Sequence, residues 1–135
     1  MNQEIRDDQS IGEVQEMFHS LFPFLKVDFF ERDTHGLVKN KLNKPAINSR
    51  KLLGEFRLDK IDGGDLLIGK DISVKRFEQY IDSMYCLHAQ VFRRSGNVWL
   101  ETTVTNNWTL EEQNRQGELI TMQMQNTMTD NISVS

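Results

Sequence analysis

One cysteine, Cys86, is all the chain contains, and that scarcity removes several chemistries at once. No intrachain disulfide is possible, and neither a cysteine-based zinc site nor a CxxC redox pair can be built. Such usage suits a reducing compartment and predicts a cytoplasmic protein. The three histidines, His19, His35 and His88, have no His or Cys partner at a metal-holding spacing such as HxxxH. The first ten residues, MNQEIRDDQS, are polar and acidic where a secretory signal needs a basic start and an apolar run. No stretch approaches a membrane span, so no membrane contact is expected. Gly-x-Ser-x-Gly, GxGxxG and Walker-type sequences are also missing, and Gly69-Lys70-Asp71 lacks a glycine-rich loop before it to cradle phosphate. Positive charge is short as well: the net charge of −4 argues against a strongly electrostatic nucleic-acid binder.

What is present is ordinary globular composition. With 38% hydrophobic and 27% charged residues in 135, the chain can bury about two-thirds of the surface its unfolded form exposes. One domain is expected over residues 1–120, with 1–9 as a frayed lead-in. From Thr121 the chain is a Gln/Asn/Thr/Ser run with isolated methionines, and residues 121–135 read as a disordered polar tail.

Apolar periodicity sets the elements. Ser10 and Glu13 form a capping box, after which Ile11, Val14, Met17, Phe18, Leu21 and Phe22 recur at helical spacing until Pro23. Leu25, Val27 and Phe29 then alternate with Lys26, Asp28 and Phe30, the period of a half-buried strand. The phrase returns about 63 residues later. Ser73 is the cap, Val74, Phe77, Tyr80, Ile81, Met84 and Tyr85 form the stripe, and Leu87, Ala89 and Val91 alternate with His88, Gln90 and Phe92. Each unit is expected to end in a returning strand. Ser95-Gly96-Asn97 turns into Val98–Val104 in the second, and Leu37–Leu42 is a weaker, lysine-bearing copy in the first.

Between the units, Ser49 is placed to cap a short helix over Arg50–Leu58, and Asp62-Gly63-Gly64-Asp65 turns into a strand over Leu66–Gly69. Thr109 and Glu112 open a last helix to about Ile120. The fold class is therefore α+β: a two-layer sandwich with a mixed sheet of four or five strands and helices mainly on one face, ferredoxin-like at the level of layers. The duplicated helix-strand-strand unit spans about residues 10–42 and 73–104.

The run Val91-Phe92-Arg93-Arg94-Ser95-Gly96-Asn97-Val98-Trp99-Leu100-Glu101-Thr102-Thr103, followed by Trp108-Thr109-Leu110-Glu111-Glu112-Gln113-Asn114, resembles a family of small bacterial proteins from Bacteroidetes. Phe22-Pro23-Phe24-Leu25-Lys26-Val27-Asp28-Phe29-Phe30 fits the same family. The resemblance implies a single cytosolic domain and transfers no activity, ligand or catalytic residue.

The residues offer no catalytic, cofactor-binding or metal set: Cys86 reads as a structural thiol, and Asp62 and Asp65 as turn residues. Two surfaces remain. Phe30 and Phe92 lie opposite the core-facing Phe29 and Val91, a possible interaction face against a partner or a twin subunit. Lys39, Lys41, Lys44, Arg50 and Lys51, with Arg93 and Arg94 beside Phe92 and Trp99, form a possible anion-binding patch. The leading expectation is a non-catalytic interaction or assembly module, a homodimer through the sheet among its forms. A binder of nucleic acid or another polyanion is the alternative, and a small enzyme whose site forms only in three dimensions comes third.

Overall fold

The apolar periods become elements where their spacing places them. The computed structural model describes residues 3–31, 46–57 and 67–133. In chain order these form β1 (Gln3–Glu4), α1 (Ile11–Leu21), β2 (Leu25–Glu31), a short 3-10 helix (Leu53–Phe56), β3 (Leu67–Ile68), α2 (Val74–Tyr85), β4 (Leu87–Ser95), β5 (Val98–Glu101) and α3 (Leu110–Ser133). The protein is α+β, with its helices packed against antiparallel sheet. At the start of α1, the Glu13 amide donates to Ser10 Oγ at 3.0 Å and the Ser10 amide to Glu13 Oε1 at 3.2 Å, the reciprocal bonds of a capping box. Ser73 Oγ caps α2 by accepting from the Arg76 amide at 3.0 Å.

The main sheet has the order β2-β4-β5, antiparallel throughout. Leu25, Val27 and Phe29 of β2 and Leu87, Ala89 and Val91 of β4 are all buried on one face. They share a single core with Ile11, Val14 and Phe18 of α1, with Val74, Phe77 and Ile81 of α2, and with Leu110 of α3. The Phe18 and Phe77 rings join the two helices at 5.3 Å between centroids.

Several expectations change. The sheet is not mixed among the described residues: β4 already has β2 on one side and β5 on the other, so β3 has no place beside it. Instead β3 pairs with β1, Gln3 opposite Ile68 and Glu4 opposite Leu67, in a separate two-stranded sheet. Residues 3–9 of the N-terminal lead-in are thus ordered, and Ile5 is completely buried. The segment after Ser49 makes only a 3-10 helix, because it crosses the N-terminal segment so closely that a Cβ on Gly54 would lie 3.1 Å from Asp7 Cβ. β5 ends at Glu101, where Thr102 turns inward and donates to the Val91 carbonyl through both its amide and Oγ1. The strand expected over Leu37–Leu42 and the Asp62–Asp65 turn lie outside the described residues.

The largest change is at the C-terminus, where α3 continues from Leu110 to Ser133 in place of a disordered tail. Tertiary anchoring past Ile120 accounts for it. Thr121 is buried against the β4–β5 turn, its Oγ1 accepting from the Gly96 amide at 3.2 Å, and a Cβ on Gly96 would lie 2.7 Å from Met124 Sδ. Gly96 takes a φ of +65°, the first central position of a two-residue hairpin turn that favours glycine.

The starts of α1 and α2 are each fastened to a later segment by the same set of four backbone bonds. Before α1, the amides of Ile11 and Gly12 donate to the carbonyls of Lys51 and Ser49, and those of Leu53 and Gly54 donate to Gln9 and Asp7. Before α2, Val74 and Lys75 donate to Trp108 and Asn106, while Leu110 and Glu111 donate to Ile72 and Lys70. Each set encloses an isolated bridge, Ser10 with Leu52 and Ser73 with Thr109.

Two substitutions test this packing. Replacing Gly by Ala inside an exposed helix ordinarily stabilises by about 1 kcal/mol. Gly117→Ala is expected to do the reverse, lowering the thermal midpoint, because its methyl would meet Phe24 Cβ and Arg93 Cγ at 3.0 Å. Cys86, the α2 C-cap, holds a left-handed φ of 52°. Cys86→Gly is expected to raise stability by about 1 kcal/mol in a denaturant titration, since glycine adopts that conformation without a Cβ clash.

Candidate functional site

Strand alternation decides what each face of the sheet offers. Opposite the core, the Phe30 ring lies 6.1 Å from the His88 ring, and Lys26 Nζ sits 5.1 Å from the centre of Phe92 and 5.3 Å from that of Trp99. Phe30 and Phe92 are thus where their alternation put them, each half-buried. Gln90, between them on the same strand face, is only 3% exposed, so the centre of this face is closed.

The anion-binding candidates do not converge. Arg93 turns toward α3, donating from Nη1 to Gln113 Oε1 at 3.1 Å with its guanidinium 5.8 Å from the centre of the Trp108 ring. Arg94, one residue on, points to the other face and donates from Nε to the Gly96 carbonyl at 2.8 Å. Arg50 and Lys51 are exposed in a turn fastened to the start of α1, the Arg50 amide donating to Asn48 Oδ1. Lys39, Lys41 and Lys44 lie outside the described residues.

The two sheet edges differ sharply. Along β2, the carbonyl of Leu25 accepts from His19 Nδ1 at 2.8 Å, that of Val27 from Gln15 Nε2 at 3.0 Å and that of Phe29 from the Ile47 amide at 2.8 Å. Because a carbonyl can only accept, His19 carries its proton on Nδ1. The outward carbonyls of this edge are satisfied by the chain's own groups.

Along β5, the two-residue turn makes Ser95 and Val98 the bonded pair, so the N–H and C=O of Trp99 point away from β4. No described group meets them. Val98 is 55% and Leu100 44% exposed, and α3 adds Leu119, Met122 and Met124, each roughly half-exposed, with Met124 against the hairpin turn. This surface was not singled out from the sequence. Its signal was Val98-Trp99-Leu100, three apolar residues in succession where alternation would have placed a polar one.

A third constellation ties three distant segments. The Asp7 carboxylate accepts from Arg57 Nη1 at 2.7 Å and from the Tyr85 hydroxyl at 2.9 Å. The Arg57 bond, joined by that of Tyr85, holds the Asp7 carboxyl below its usual range against an opposing effect of burial. Burial first, and then the Asp7 carboxylate, push the Tyr85 hydroxyl above its ordinary value and keep it a donor. The arrangement is a clamp between the N-terminal segment, the 3-10 helix and α2. Among the described residues no group of three or more His, Cys, Asp or Glu side chains is placed to hold a metal ion, and no helix is long and apolar enough to cross a membrane.

No protein-family model matches the chain, and neither a curated protein nor a solved structure is detectably similar to it. The geometry of this chain alone therefore carries the functional reading.

The clamp has a pH signature. A carboxyl whose folded pKa is depressed stabilises above its unfolded pKa, and that contribution is lost as pH falls through the folded value. Asp7→Asn is thus expected to lower the denaturation midpoint at neutral pH, with the gap to the wild type narrowing as pH drops below the ordinary Asp value of 3.8. Tyr85→Phe, which removes one hydrogen bond, is expected to cost about 1 kcal/mol in a denaturant titration at pH 7.

Proposed function

We propose that the chain is a non-catalytic protein-interaction module that docks its partner on the open β5 edge, and that its two halves are tandem copies of one β-α-β unit. The observation that carries the docking reading is the contrast between the edges. β2 has three successive outward carbonyls satisfied from within the chain, whereas β5 offers a free Trp99 backbone flanked by exposed Val98 and Leu100.

An extended edge with unpaired backbone groups is a template for strand addition, and aromatic residues with aliphatic neighbours are what interface centres favour. The Phe30 and Phe92 face is less suited, because Gln90 is buried between the two rings and Lys26 covers Phe92. A polyanion surface is less supported still, with Arg93 and Arg94 on opposite faces and a net charge of −4. The tandem reading rests on the four backbone bonds and the bridge that recur at both helix starts.

Native mass spectrometry of freshly purified protein, alongside the double variant Val98→Lys, Leu100→Lys, tests the docking reading. Any polypeptide that accompanies the wild type, its own kind or another, is expected to be missing from the double variant and retained by Phe30→Ser, with circular dichroism unchanged in both. A chain that carries no polypeptide, or one whose association survives the lysines, refutes the edge as the docking site.

A further inference from the structure

We infer that the partner on the β5 edge is a second copy of this chain, joined β5 to β5 in antiparallel sense so that the two three-stranded sheets run on as one. This rests on the docking reading above and names its occupant. Antiparallel pairing of a strand with its own copy about a two-fold axis is self-complementary: each outward N–H meets an outward C=O of the other copy without any further matching.

The side chains fit the same arrangement. Val98 and Leu100 share one face of β5 and would meet apolar side chains of the same strand in the second copy. A contact of like with like tolerates apolar groups and rejects a concentration of one charge, and Glu101 is the only charged residue between Val98 and Glu101. Neither lysine nor proline, the usual devices that keep sheet edges apart, occurs in that strand. Four residues of β5 supply few hydrogen bonds, so the apolar flank formed by the hairpin and the neighbouring surface of α3 must contribute the rest. A foreign extended peptide would use the strand and leave that flank in water.

Closure also favours a second copy. Because His19, Gln15 and Ile47 occupy the outward carbonyls of β2, β5 is the more open edge of the described three-stranded sheet, and an isologous contact through it ends at two chains. The chain already contains a junction of this kind. β2 and β4, each following a helix whose start is fastened by the same four bonds, meet antiparallel over the full length of β2.

The test is light scattering on the full-length chain across a dilution series, with amide hydrogen exchange read at Trp99. Twice the chain mass at high concentration is expected, dissociating on dilution, with the Trp99 amide at least tenfold slower in the dimer than in the dilute chain. Val98→Lys, Leu100→Lys is expected to be monomeric throughout. A single-chain mass at every concentration overturns the second copy, as does a dimer whose Trp99 amide exchanges at the dilute rate. If in that case a different polypeptide binds the wild type and is lost from the double variant, the edge reading stands and only the identity of the occupant fails. The exchange measurement needs no substitution, so a misfolded variant leaves the inference open to refutation.

Discussion

Seven residue pairs between β2 and β4 fix the position of nearly everything else in the molecule. The ladder joins the two halves of the chain, and its register assigns each residue to a face. Leu25, Val27 and Phe29 with Leu87, Ala89 and Val91 must then be covered by helix, and α1 and α2 supply that cover through Phe18, Phe77 and their neighbours. A one-residue slip would bring Lys26, Asp28 and Gln90 onto the helices and expose the core. The same register separates Phe29 from Phe30 and Arg93 from Arg94, so the ladder settles the chemistry of the surface as well as the packing of the interior.

The ends of that ladder are treated unequally. Side chains of α1 satisfy two of the outward carbonyls of β2 at a spacing set by the helix itself, since Gln15 and His19 lie one turn apart. Glu78 of α2 does related work on β4 just beyond the reach of β5, accepting from the Val91 amide at 3.3 Å. β5, added as a hairpin arm and not backed by a helix of its own, receives no such closure. α3 supports the turn through Thr121 and Met124 and leaves Val98 and Leu100 in contact with water.

Much of this was legible from local pattern. The two capped helices, the two strands that follow them and the Gly96 turn each carry their signal within a dozen residues, and all stand where the apolar periods put them. What could not be read depends on distant partners. Gln3 and Glu4 have no strand signal, and they become one only because Ile68 and Leu67 arrive beside them. Thr121 and Met124 sit in a stretch of middling helix formers, and the hairpin turn, not propensity, carries α3 past them. Arg93 could be assigned a face by counting from Phe92, but nothing near it in sequence announced Gln113 or Trp108. The inequality of the edges needed the strand order, which the period of a single strand does not contain.

The pairing of β1 with β3, of β2 with β4, and of Asp7 with Tyr85 has a consequence for how the chain is born. Each bond joins something made early to something made late. On the ribosome, Ile5, Phe18 and Phe29 emerge with no lasting place to go until the second helix and strand have followed them out. Assembly is therefore held back to the end of synthesis and then concerns both halves together. During that interval the side of β2 that β4 will cover is bare, the kind of unpaired strand edge that invites contact with another chain.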